Sequence, residues 1–169
     1  MRSVAADPVA GAPTHISTRV ESLPVLDTEQ LEDLRYLPAS SDGDDGDSVG
    51  GLIRLFQSKG IERMAIMERC LAESNWETLA ETAHSLRGAS ASIGFPRVAS
   101  LCKDLELNAR QRASANTTVS LAAASSDAGA ADPDEIFASI RHYYREADAA
   151  LAVWLRDTQP VPAQISNAP

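Results

Sequence analysis

Between Ile93 and Pro96 the chain reads Ile-Gly-Phe-Pro, and this punctuation separates two runs whose apolar residues recur at helical spacing. Upstream, Trp76, Leu79, Ala80, Ala83, Leu86, Ser90 and Ile93 gather on one face of a 3.6-residue wheel. Downstream, Val98, Leu101, Cys102, Leu105 and Ala109 do the same. Glycine suits the position just past a helix end and proline the first helical position, so Gly94 closes one helix and Pro96 opens the next. So short a connection forces the two helices into an antiparallel hairpin, each burying its stripe against the other.

The same reading extends both ways. Asp27, with Gln30 three residues on, forms a capping box ahead of a short helix bearing Leu31 and Leu34 that ends near Pro38. A helix from Ser48 carries Val49, Leu52, Ile53 and Phe56 on one face. Gly60 is expected to kink or break it before Met64, Met67 and Leu71 resume the stripe. Ser74-Asn75-Trp76-Glu77 reads as a capping box for the helix that follows. Asp132-Pro133-Asp134-Glu135 opens a last helix with Ile136, Ile140, Tyr143, Tyr144, Ala147, Leu151 and Trp154 on one side. No repeat and no strand-like alternation competes. The expected fold is all-α, an antiparallel four-helix bundle with a short additional N-terminal helix. Residues 1–22 read as a disordered leader, 23–158 as the bundle with 113–131 a long mobile loop, and 159–169 as a disordered tail.

Composition narrows the function. At 169 residues the chain can build one core. Its net charge of −9 argues against general nucleic-acid binding. Cys70 and Cys102 form no CxxC pair, and Cys102 lies within an apolar stripe as a buried structural thiol. No apolar run reaches the roughly 18 residues of a membrane span, and no signal-type segment follows Met1. A reducing cytoplasm with both thiols free is the expectation, and the tapering ends suggest a complete small protein rather than a fragment of a larger kinase. The acidic stretch 40–47 fails as a calcium loop: counted from Asp42, the positions that need Gly and Glu hold Asp47 and Ile53.

Chemistry gathers at Ala83-His84-Ser85-Leu86-Arg87-Gly88-Ala89-Ser90. His84 points about 130° away from the centre of its helix's apolar face, with Arg87 and Gly88 one turn on. A glycine inside a helix is destabilising by on the order of 1 kcal/mol relative to alanine, and here it leaves room beside the imidazole. An exposed histidine is usually only a surface residue, and His15 and His142 are read that way. Enzyme templates fail in turn. There is no HxxxH pair, no cysteine partner at metal spacing, no G-x-S-x-G elbow, no phosphate-binding glycine loop and no carboxylate placed to orient His84. Glu106 and Arg110, an i, i+4 step apart, read as an ordinary surface ion pair. What remains is a nucleophile without a cofactor or metal site. An exposed neutral imidazole can accept a phosphoryl group if the donor supplies the metal, with Gly88 giving access and the planar Arg87 fork meeting the incoming charge.

Those eight residues, then Gly94, then Leu101-Cys102-Lys103-Asp104-Leu105-Glu106, resemble the histidine-containing phosphotransfer (HPt) domains of multistep phosphorelays. The resemblance covers roughly residues 23 to 157. It implies that His84 is the phosphoacceptor; which ring nitrogen is modified is not fixed by the sequence, and the more exposed Nε2 is the expectation from its reach. Arg87 then stands where the family commonly has lysine, and Gly88 is the small residue that admits a partner's active site. It further implies that Arg110 is a second cation turned toward the histidine helix, and that Ala91 and Glu106 serve partner access and docking, Glu106 where some members have glutamine. The implied partners are response-regulator receiver domains and a hybrid histidine kinase, with no nucleic acid and no membrane. The implied protein is a cytoplasmic, monomeric carrier without ATP binding or autokinase activity. It needs no cofactor of its own, magnesium being expected on the receiver. Arg87, Arg97, Lys103, Arg110 and Arg112 would form a basic zone for the receiver's acidic pocket. The alternative is a helical scaffold or antikinase that binds receiver or kinase domains without carrying phosphate.

Overall fold

The computed structural model describes residues 19–35, 48–117 and 131–158. The stretch up to residue 18 with His15, the helix end near Pro38, the acidic stretch 40–47, the side chain of Val49, residues 118–130 and the 159–169 tail lie outside the described residues.

Among the described residues, a helical turn at 19–21 is followed by α1 (Thr28–Arg35), α2 (Ser48–Ala72), α3 (Trp76–Ser92), α4 (Pro96–Thr117) and α5 (Pro133–Thr158). The last four form an antiparallel bundle, and the short α1 packs on it through the fully buried Leu31. No strand occurs among the described residues. Antiparallel register is visible in the cross-helix pairs. Trp76, first in α3, meets Arg112 late in α4, the guanidinium lying 5.1 Å from the indole centroid. Gln57 of α2 bonds Asp148 of α5 at 2.7 Å, whereas Glu68, later in α2, pairs with Arg141, earlier in α5, at 3.1 Å. The stripes read from the α3 and α4 sequences are the buried ones, with Leu79, Ala83, Leu86, Val98, Leu101, Cys102, Leu105 and Ala109 all fully enclosed.

Local chemistry accounts for the turns. At the end of α3, Gly94 takes a left-handed φ of +79°. Phe95 N–H returns to Ser90 O at 2.8 Å and Gly94 N–H to Ala91 O at 3.3 Å, so the last carbonyls find donors. The N-terminal segment crosses this turn: Asp27 N–H donates to Gly94 O at 2.8 Å, and a Cβ on Gly94 would stand 2.6 Å from Asp27 O. Asp27 also caps α1, its Oδ1 accepting from Gln30 N–H at 3.2 Å. Asp132 does the same for α5, accepting from Asp134 N–H at 3.1 Å with Pro133 first in the helix.

The structure corrects the sequence reading in five places. The cap of α3 is Asn75, whose Oδ1 accepts from Thr78 N–H at 3.2 Å. Ser74 instead closes α2 with a left-handed φ of +54°, because the two helices share so short a joint that each residue can serve only one of them. Gly60 neither kinks nor breaks α2. A Cβ there would overlap the hydroxyl of Tyr144, so glycine is present to let α5 approach. Leu52 is 40% exposed, lying off the buried stripe defined by Ile53 and Phe56. The expected 1–22 leader is too long: Val20 is fully buried, Arg19 pairs with Asp104 and bonds Ser100 on α4, and Leu23 O accepts from Arg97 Nε at 2.8 Å. One arginine, one valine and backbone carbonyls do this docking, which leaves little signal in composition. Finally, α4 runs to Thr117, so the first residues of the expected 113–131 loop are helical.

Phe95, inside the α3–α4 turn, is fully buried and joins Phe56 and Tyr144 in an aromatic cluster, with ring centroids 5.1 to 5.8 Å apart. Burial pushes the Tyr144 phenol well above its ordinary range, so it stays neutral beneath Gly60. Because Tyr144 is held by two ring contacts, it cannot swing away from a new methyl group. Gly60→Ala is therefore expected to lower unfolding free energy by about 1–3 kcal/mol in a denaturant titration, despite alanine's better helix propensity.

Candidate functional site

The hairpin register sets α3 and α4 side by side so that His84 and Glu106 meet. His84 Nδ1 lies 3.1 Å from Glu106 Oε1. The imidazole is 57% exposed at the side chain and the carboxylate 9%. Arg110, one turn further along α4, donates from Nη2 to the same Oε1 at 2.7 Å. Arg87, one turn beyond His84 on α3, brings Nη1 to 3.0 Å from Glu106 Oε2, as an ion pair without hydrogen-bond alignment. One nearly buried carboxylate thus gathers the histidine and two arginines. A buried carboxylate is strongly disfavoured unless paired, and two guanidinium groups supply that pairing.

This overturns two expectations. Glu106 with Arg110 is not merely a surface pair, and a carboxylate does orient His84. The other ring contact, Arg87 Nη2 to Nδ1 at 3.3 Å, competes with it. A guanidinium only donates, whereas Glu106 only accepts, so Nδ1 satisfies one of them at a time. The shorter, charge-assisted contact is the one to Glu106, which favours the Nδ1–H tautomer and leaves the lone pair on Nε2.

Gly88 differs from the other glycines just described. A Cβ built on it meets nothing within 4 Å, so neither sterics nor backbone conformation of the isolated chain calls for glycine. Gly88 and Ala91 are exposed on the solvent side of α3. Beneath the site, Cys102 is buried, and loss of water around it pushes the thiol far above its ordinary range, with Arg87 opposing only in part. Burial also raises the Cys70 thiol. Both cysteines are free and protonated, so neither rivals the imidazole as a nucleophile.

The family model of the Hpt domain matches residues 51–150, which span α3, α4 and most of α2 and α5. The chain belongs to the Hpt domain family. Its role is that of a histidine phosphotransfer protein in phosphorelay signalling. No curated protein matches it in sequence. Among solved structures, it is similar to the histidine-containing phosphotransfer protein HptB of Pseudomonas aeruginosa PAO1, with 19% identity over 80% of this chain and 98% of that one, at a TM-score of 0.61. Saccharomyces cerevisiae Ypd1, in a co-crystal with the receiver domain of its downstream response regulator Ssk1, gives 20% identity over 79% and 95% of the two chains, at 0.60. Maize ZmHP2 gives 16% over 83% and 95%, at 0.57. At these identities the structures establish a shared fold.

Not every cation expected in this Hpt protein's basic zone converges. Arg87 and Arg110 do. Arg97 turns away, to Leu23 O, to Glu146 at 3.2 Å and to the face of Tyr143. Arg112 lies over Trp76 and bonds Asn108 Oδ1 at 2.8 Å. Lys103 is exposed on α4. A cation not expected at all, Arg63 of α2, donates from Nε to Ser85 Oγ at 3.0 Å, beside His84. Its only sequence signal is its helical register, which points it toward α3 once α2 and α3 are paired. His142 is exposed and packs edge-on against Tyr143, away from the site. Among the described residues, no group of three or more His, Cys, Asp or Glu side chains could hold a metal ion, and no helix is long and apolar enough to cross a membrane.

The open space at Gly88 makes a separable prediction. Gly88→Ala should keep the fold and raise unfolding free energy by up to about 1 kcal/mol, since only helix propensity changes. Gly88→Leu should melt no lower than wild type yet transfer phosphate much more slowly. A marked drop in melting temperature for either variant would contradict the assignment of this glycine to access.

Proposed function

We propose that His84 accepts a phosphoryl group from the phosphoaspartate of a response-regulator receiver domain and passes it to the aspartate of another receiver. The observation that carries this reading is the exposed imidazole beside Gly88, whose Nδ1 is engaged by Glu106 so that Nε2 faces solvent as the nucleophile. In the forward step the Nε2 lone pair attacks phosphorus, an N–P bond forms, and the acyl P–O bond breaks to leave the donor's aspartate carboxylate. Nδ1 keeps its proton throughout. The ring becomes cationic as it bonds to phosphorus, and Glu106 stabilises that charge across the 3.1 Å contact. Arg87 and Arg110, already drawn together by Glu106, are positioned to meet the phosphoryl oxygens. Reversal of the same steps delivers the group onward. The imidazole, the two arginines and the gap over Gly88 are the whole of this chain's contribution.

The co-crystal of yeast Ypd1 with a receiver domain supports a receiver as the partner class. A hybrid histidine kinase is the upstream source of phosphate in this reading. The protein acts in the cytoplasm as a monomer, so that the surface around Gly88 and Ala91 stays open. It neither binds ATP nor phosphorylates itself, and magnesium is supplied by the receiver. Incubation with a receiver carrying labelled phosphoaspartate should place acid-labile label on the wild-type chain and none on His84→Gln. Equal labelling of the two would sink the assignment of His84. Receiver binding with no labelling of wild type would favour the binder that carries no phosphate.

A further inference from the structure

Arg63 stands apart from the two arginines at Glu106. Its side chain crosses from α2 to α3, and Nε donates to Ser85 Oγ at 3.0 Å. Arg87 and Arg110 share one carboxylate, so half of their combined charge is neutralised in place. Arg63 is anchored by a neutral hydroxyl, and among the described residues it makes no ion pair. Its neighbour Glu62 is taken by Lys59 at 2.8 Å, and that hydrogen bond is the main reason the Glu62 carboxyl sits below its ordinary range. Beyond a through-space pull on Glu62, no carboxylate among the described residues holds the Arg63 guanidinium, which leaves most of its charge for a partner.

Helix geometry says where that charge sits. At about 100° per residue, Gly88 lies about 40° round α3 from His84 and Ser85 about 100° in the same sense, while Arg87 lies about 60° the other way. The gap over Gly88 is thus bounded by His84 and Arg87 on the α4 side and by Ser85 with Arg63 on the α2 side. Glu81, one turn toward the N-terminus, is exposed and closes that end to anions. A phosphoaspartate is dianionic and sits among carboxylates. Its unobstructed approach to Nε2 runs over Gly88 between two guanidinium walls.

We propose that Arg63, steadied by Ser85, is a docking residue that engages the anionic rim of the receiver's phosphoaspartate site as the receiver settles over Gly88. This rests on the receiver reading above. Arg63 does not touch the reacting atoms, so it acts on docking and not on the chemical step.

The test uses the full chain and a purified receiver domain, phosphorylated for transfer assays and unphosphorylated for binding. For Arg63→Ala, the half-saturating receiver concentration should rise about fivefold at low salt, with the maximal transfer rate within about twofold, and the salt dependence should flatten. Arg63→Glu should be worse, Arg63→Lys should recover most of the loss, and Ser85→Ala should lose about twofold. Thermal melts of all four should match wild type. The same loss of receiver affinity should appear in a His84→Gln background, where no phosphate is carried, so Arg63's part in docking is read independently of His84's chemistry. Unchanged affinity and salt dependence in both Arg63→Ala and Arg63→Glu would overturn the proposal. So would a fall in maximal rate with half-saturation unchanged.

Discussion

The joint between α3 and α4 governs everything that happens at the site. Gly94 adopts a left-handed φ, its carbonyl accepts from Asp27, and a side chain there would run into Asp27's backbone, so the turn has one geometry and the N-terminal segment holds it. From that turn the two helices return past each other in a register that the fully buried stripes of Leu79 to Leu86 and Val98 to Ala109 cannot slip without exposing. Only in that register does Glu106 face His84 and Arg110 fall within reach of the same carboxylate.

Glu106 then converts packing into chemistry. It is the buried anion that the surrounding fold must satisfy, and the groups that satisfy it, a ring N–H and two guanidinium groups, are those the proposed phosphoryl step would use. Attraction to Glu106 holds them at short range before any partner arrives, which would reduce reorganisation during the proposed transfer. The imidazole stays exposed while its carboxylate partner is buried.

Much of this was legible in the chain, and the gaps have physical causes. Helix positions follow from stripes and caps that act locally, so Asp27, Gly94, Pro96 and Asp132 are readable one element at a time. His84, Arg87 and Gly88 are readable for the same reason, being neighbours on one helix. Glu106 and Arg110 show only their i, i+4 relation. Which way that pair faces depends on how α4 is rotated against α3, and this is set by packing between helices. The divergence of Arg97 and Arg112, and the arrival of Arg63 from α2, have the same origin. Gly60 looks like a helix breaker in sequence, and only Tyr144 on another helix explains it. The docking of Arg19 and Val20 was hidden because a segment held by two side chains and a few backbone carbonyls carries no periodic pattern.

The central claim is that Glu106 holds His84 with its proton on Nδ1 and its lone pair on Nε2. Long-range nitrogen–proton NMR of the histidine rings reads this directly. The neutral His84 ring should be the Nδ1–H tautomer, Glu106→Ala should shift it toward the Nε2–H form usual for free imidazole side chains, and phosphorylated protein should show nitrogen–phosphorus coupling at Nε2. A neutral ring protonated on Nε2 in the wild type, or phosphorus coupled to Nδ1, would contradict it.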